Sequence, residues 1–214
     1  MRLARQRGPA LWLGLALTLV LLAGPPAHAG APTDQLHSQI DRVLKVLEDP
    51  VLKKEGRARE RRAAVRKIAE DIFDFQETAK RSLGRHWAPR SQGEKTEFVG
   101  LFADLLERSY LSRIELYGGE KISYLGDAID ADQATVRTKI LTKQGSEIPI
   151  EYRMLKKADR WLAYDVIIEG VSLISNYRTQ FNKIIQTTSY QELVKKMKTK
   201  QEEFLDEEKQ RRTS

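Results

Sequence analysis

The sequence predicts a single α+β domain, a four-stranded antiparallel curved sheet backed by several helices. Three observations lead there. Apolar residues recur at helical spacing from residue 31 to about 117, alternate in twos between residues 121 and 168, and return to helical spacing afterwards. Helices, then a meander of strands, then helices is the order in which helices cover one face of an antiparallel sheet. No internal repeat or low-complexity linker divides the chain, and the roughly 185 residues that follow the leader are enough for one domain with its own core.

Residues 1–29 read as a cleavable secretory signal peptide. Arg2, Arg5 and Arg7 give a positive start, Leu11 to Ala23 form an uncharged apolar run, Pro25 and Pro26 break it, and Ala27, His28 and Ala29 supply a small-x-small cleavage pattern. The apolar run is shorter than the roughly 20 residues a membrane span needs. Cleavage after Ala29 would free a chain that starts at Gly30.

The first helix is expected from Ala31 to Asp49, capped by Thr33, with Leu36, Ile40, Val43, Leu44 and Leu47 on one face. A basic stretch follows, Arg57, Arg59, Arg61, Arg62, Arg66 and Lys67, over a stripe of Val65, Ile68, Ile72 and Phe73. It reads as the solvated face of a helix, or as a docking surface for an acidic partner or anionic lipid headgroups. Asp74 caps a short helix ending at Leu83 and Gly84. Ser91 and Glu94 form a capping box that opens the most apolar helix, with Phe98, Leu101, Phe102, Leu105, Leu106, Tyr110, Leu111 and Ile114 inward and Gly118 and Gly119 as the stop. Strands are expected at Lys121–Leu125, Thr135–Thr142, Glu147–Leu155 and Trp161–Ile168, the last apolar on both faces and therefore central. Short turns between them imply an antiparallel meander. After Glu169 and Gly170, Val171, Ile174, Tyr177, Arg178 and Phe181 mark a helix, and Ser189 with Glu192 caps another. Residues 30–200 make the domain, and the charged residues 201–214 are expected to fray as a flexible tail.

Composition narrows the function. The formal charge is +7, and loss of the three leader arginines brings it near +4. That is too modest to indicate nucleic acid. There is no cysteine, so an exported fold must rest on its core, which suits a bacterial periplasm. His37 and His86 are the histidines beyond the leader, and no zinc spacing, Walker loop or nucleophile elbow is present. Asp127, Asp130 and Asp132 read as turn residues rather than a metal site. Asp165, inside an apolar strand, could be a general base or a carboxylate paired with an arginine or a helix end; no second catalytic group stands beside it in sequence. The many inward aromatics fit either a filled core or a hollow one that encloses a large apolar ligand.

One segment is specific. Trp161, Tyr164, Asp165, Glu169, Gly170, Val171 and Ser172 stand in the spacing W-x-x-Y-D-x-x-x-E-G-V-S, followed by Tyr177, Arg178, Gln180 and Phe181. With Leu83 to Trp87, Phe98 to Tyr110, Tyr117 to Glu120 and Ile148 to Tyr152, this resembles the MlaC-type periplasmic phospholipid-binding proteins, the toluene-tolerance auxiliary family, over roughly Leu36 to Leu193. The basic Arg57–Arg66 stretch and the tail beyond Lys200 depart from the family pattern.

The resemblance implies a periplasmic, non-enzymatic carrier with a deep apolar pocket. It would bind phospholipid and pass it between an outer-membrane lipoprotein complex and an inner-membrane ABC transporter complex that includes an MCE-domain subunit. The ATPase would sit in that partner, so no nucleotide site or other cofactor is expected, and no nucleic acid. The pocket walls would come from Phe98, Phe102, Leu105, Leu106 and Tyr110 on the long helix. Ile150, Tyr152, Met154, Tyr164, Val166 and Ile168 would add the sheet side, and Ile174 and Tyr177 the far side. Sheltering two acyl chains would ask for about 1,000 Å³. Asp165, Glu169 and Arg178 would pin the strand-to-helix corner. Two readings compete with this one: an enzyme on a ketosteroid-isomerase-like cone with Asp165 as base, and a periplasmic adaptor with a filled core.

Overall fold

The computed structural model describes residues 31–213; the signal-peptide reading lies outside them. Six helices and five strands follow in the order α1 (Ala31–Glu48), α2 (Ala58–Ile72), α3 (Phe75–Leu83), α4 (Gln92–Glu115), β1 (Lys121–Asp130), β2 (Gln133–Leu141), β3 (Glu147–Lys157), β4 (Arg160–Ile168), β5 (Val171–Ser172), α5 (Leu173–Thr187) and α6 (Tyr190–Thr213). The class is α+β. The sheet is an antiparallel meander, β1-β2-β3-β4-β5. It has five strands rather than the four expected. The fifth is two residues long, and no sequence periodicity can show so short a strand. It exists because Glu169 and Gly170, both at positive φ (50° and 81°), make a two-residue turn that folds Val171 and Ser172 back on Ile168 and Ile167. The helix after this turn accordingly starts at Leu173.

Helix ends follow their side chains. The Asp74 carboxylate accepts from the Glu77 amide at 3.0 Å, and Ser91 and Glu94 form the reciprocal capping box that starts α4. Ser189 Oγ accepts from the Glu192 amide at 3.1 Å. Thr33 is not a cap. It is buried inside α1, where its amide and hydroxyl donate to Asp127 at 3.0 and 2.7 Å, and that contact ties α1 to β1. β1 runs to Asp130, five residues past the expected end, because an extra residue at Leu125 breaks its alternation without ending the ladder. Asp127 is therefore a strand residue and not a turn residue. Helix α6 continues across the charged residues 201–213.

β4 lies between β3 and β5, but β5 pairs only with Ile167 and Ile168, so most of its outer edge has no strand partner among the described residues. The α2–α3 junction covers that edge instead: Phe73 bridges Ala163, the Asp74 amide donates to the Ala163 carbonyl at 2.9 Å, and Thr78 Oγ1 donates to the Tyr164 carbonyl at 3.2 Å. A bulge at Tyr164 shifts the alternation of β4, so that Ala163 pairs with Met154 and Val166 with Tyr152. Both residues then share the face that β3 turns inward, and the strand bends.

Two main cores result. Leu36, Ile68, Ile72, Ala134, Val136, Met154, Trp161 and Ala163 join α1 and α2 to the sheet. Ala79, Leu83, Phe98, Leu101, Phe102, Ile174, Phe181, Tyr190, Leu193, Val194 and Met197 join α3, α4, α5 and α6. A small cluster of Leu47, Val65 and Leu111 connects α1, α2 and α4 between them.

Candidate functional site

A hollow opens along the seam where the two cores meet. One wall is α2, with Val65 and Ala69, continuing into Phe73, Phe75 and Thr78. The opposite wall is α4, with Ala103, Leu106, Tyr110, Leu111 and Ile114. Tyr164 and Val166 of β4 and Leu173 and Ile174 of α5 close the depth. The empty space between these walls, open mouth included, is about 870 Å³. It exists because Ala69, Ala103 and Thr78 stand where larger side chains would meet across the seam.

The rim is charged. Arg66 reaches from α2 to Asp104 (2.9 Å) and Glu107 (2.8 Å) on α4, and Arg61 and Arg62 reach Glu115 at 3.0 and 3.4 Å. Half of the basic run is thus turned toward carboxylates of α4 rather than left to solvent. Burial pushes the Glu107 carboxyl above the ordinary glutamate value, against the pull of Arg66. The Arg81 guanidinium lies over the Tyr164 ring, 3.9 Å from its centroid, and holds that ring against the depth of the seam.

Of the wall residues expected from the sequence, Leu106, Tyr110, Tyr164, Val166 and Ile174 border the hollow. Phe98 and Phe102 sit instead inside the helical core, with Leu105 and Tyr177 packed against it. Met154 belongs to the sheet core with Tyr152 against it, Ile150 is buried, and Ile168 is half-buried beside the β4–β5 turn. Sequence reasoning missed the α2 wall. Val65 and Phe73 are legible as an apolar stripe, but the arginines over them hide its role as a wall, and Ala69 carries no hydrophobic signal.

Asp165 is a corner residue. Its Oδ2 accepts from Ser172 Oγ at 2.7 Å, its Oδ1 accepts from the Ile174 amide at 3.1 Å, and Arg153 stands 3.8 Å away. It holds β5 and the first turn of α5 in place. Arg178 packs its stem on Gly84: a Cβ there would sit 3.3 Å from Arg178 Cδ, at a backbone φ of 53° that favours glycine in any case. Glu169 takes the first left-handed position of the β4–β5 turn and donates its amide to the Pro149 carbonyl at 3.0 Å. Among the described residues no group of three His, Cys, Asp or Glu side chains could hold a metal ion, and no helix is long and apolar enough to cross a membrane.

A family model, that of the MlaC protein, matches residues 37–199. The chain belongs to the MlaC family. This is a family of lipid-binding carriers, not of enzymes. A solved structure with the same fold is the phospholipid-binding protein of Ralstonia solanacearum, determined in complex with a phospholipid. It is 23% identical, covers 79% of this chain and 96% of its own, and superposes with a TM-score of 0.71. An NTF2-like protein of Campylobacter jejuni aligns over 47% of this chain and 94% of its own at 18% identity and a TM-score of 0.29, too loosely to bear on the fold. In this MlaC-family chain, the signature residues Asp165, Glu169, Gly170 and Ser172 all lie at the β4–α5 corner that closes the depth of the seam.

Proposed function

We propose that this protein is a periplasmic phospholipid carrier that shelters acyl chains in the seam between its two cores. It would deliver the lipid between complexes in the outer and inner membranes. The observation that carries the reading is the seam itself: an apolar hollow, walled by α2, α4, β4 and α5, in a chain of the MlaC family. The phospholipid held by the Ralstonia protein of the same fold supports it.

The physics of transfer favours this shape. Each methylene exposed to water costs about 0.8 kcal/mol, so two chains of about 15 methylenes cost on the order of 20 kcal/mol. A lipid crosses an aqueous space at a useful rate only if its tails stay covered. An apolar wall suffices for that, and a seam between two separately packed cores can widen without unpacking either. The headgroup then lies toward the rim, where Arg66, Glu70 and Glu107 stand. Glu169 and Arg178 would serve by fixing the corner, and Asp165 by fixing it where it borders the depth of the hollow.

Organic extraction of the chain purified from a bacterial periplasm, followed by lipid mass spectrometry, tests the reading. About one phospholipid per chain is expected. A lipid-free protein that also takes none from vesicles would overturn it.

A further inference from the structure

Beside the mouth of the seam lies a second cleft, bounded by α2, α4 and α6 and sharing Arg66, Glu107 and Leu111 with the apolar hollow. Among the described residues its walls carry four arginines, Arg59, Arg62, Arg66 and Arg108, and one carboxylate, Glu107. Three of the four are engaged within the protein. Arg66 bridges Asp104 and Glu107, Arg62 shares Glu115 with Arg61, and Arg108 donates to the Gln201 carbonyl at 3.2 Å while lying over the Phe204 ring. Arg59 is exposed, and among the described residues no hydrogen bond or ion pair neutralises it. Among the described residues Arg59 and Arg108 therefore stand without an ion-pair partner, within reach of a group whose tails enter the seam.

We infer that this cleft seats the phosphate of a bound phospholipid and prefers an anionic headgroup over a zwitterionic one. The inference rests on the carrier reading above and adds a selectivity to it. A phosphodiester oxygen can take guanidinium hydrogen bonds from Arg59 and Arg108. A headgroup that ends in an uncharged polyol brings only its negative charge to the cleft. One that ends in an ammonium brings a cation up against Arg59 and Arg108, neither of which has an ion-pair partner among the described residues, and that repulsion does the discriminating. The place is set by continuity: Leu111 and Arg66 belong to both spaces, so tails in the seam and a phosphate in the cleft can belong to one molecule.

The test loads the full mature chain from vesicles of equimolar phosphatidylglycerol and phosphatidylcholine and reads both the total lipid and the ratio of the two by mass spectrometry. About fivefold enrichment of the anionic lipid is expected, as one surface arginine is worth roughly that factor. Arg59→Gln should lower the ratio, and Arg59→Gln with Arg108→Gln should bring it near parity. Arg59 is exposed, and Arg59→Gln removes no hydrogen bond or ion pair among the described residues, so its result is read free of a folding defect. Parity in the parent chain, or enrichment that survives both variants, would overturn the proposal. Loss of both lipids would overturn the carrier reading and this proposal with it. Inorganic phosphate alone, followed by calorimetry on the lipid-free protein, should bind far more weakly than the lipid. Equal binding would make the cleft an anion site indifferent to tails and overturn the headgroup assignment.

Discussion

The helical core between α3 and α6 and the seam between α2, α4 and β4 draw on the same kinds of residue, yet one is full and the other open. In the helical core, Phe98, Phe102, Tyr177 and Phe181 interlock, with Phe102 5.1 Å from Tyr177 and 5.3 Å from Phe181 in edge-on contacts. In the seam, Leu106 and Tyr110 of α4 and Val166 of β4 line an open space together with the small side chains of Ala69, Thr78 and Ala103. Both regions use α4. Phe98, Leu101 and Phe102 in its first half face the packed aromatics and Ala103 to Ile114 in its second half border the hollow, so a single helix serves as the pillar of one and the wall of the other. What differs is the size of the opposing side chains, not their polarity.

The largest test of this contrast is Phe102→Ala. In a filled core the substitution leaves a cavity, and chemical denaturation should show a loss of about 3–5 kcal/mol. Leu106→Ala, one turn further along the same helix, already borders open space and should lose clearly less, about 1–2 kcal/mol. Equal losses would mean that the seam is packed as tightly as the core.

A smaller effect comes from the buried phenols. Burial pushes Tyr190, in the helical core, and Tyr152, against the sheet core, up to about 12 from an ordinary value of 10.0. A raised folded-state pKa means the native chain keeps protons that the unfolded chain releases. The stabilisation is fully present below pH 10 and is lost as pH rises through about 12. Denaturation midpoints should therefore fall over that window, and Tyr190→Phe should flatten the part that belongs to the helical core. The variant also gives up the Tyr190 hydroxyl's bond to the Glu94 carbonyl at 3.2 Å, so it should start lower at neutral pH.

The smallest change in stability, and the most informative for the seam, is Val166→Trp. Filling an existing hollow should alter the denaturation midpoint by no more than about 1 kcal/mol, while lipid recovered per chain drops severalfold. A large destabilisation would show that no space was there to fill.

Much of this fold was legible in the sequence, and the rest was hidden for physical reasons. Capping residues at Asp74, Ser91 and Ser189 mark helix starts because their side chains satisfy specific backbone amides. The Glu169–Gly170 turn is legible because only certain residues tolerate positive φ. The bulges at Leu125 and Tyr164 are not, since one inserted residue scrambles a period of two in the same way as a strand end. That is why β1 read as too short. For the site, periodicity shows which side chains face inward but not whether atoms fill the space between them. Leu106, Tyr110 and Val166 on the seam look no different in sequence from Phe98 and Phe102 in the core, and the alanines that create the hollow leave no mark at all. The α2 wall was obscured by its arginines, whose partners Asp104, Glu107 and Glu115 lie about forty to fifty residues away along the chain.

The central claim, that lipid tails occupy the seam and not the helical core, is tested most directly by photocrosslinking. A phospholipid with a diazirine at the end of one acyl chain is loaded into the protein and irradiated, and the modified peptides are mapped by mass spectrometry. Adducts on α2 between Val65 and Phe73, on α4 between Leu106 and Ile114, and on β4 at Tyr164 or Val166 are the predicted result. Adducts concentrated on Phe98, Phe102 and Phe181 would place the tails in the core and contradict the account.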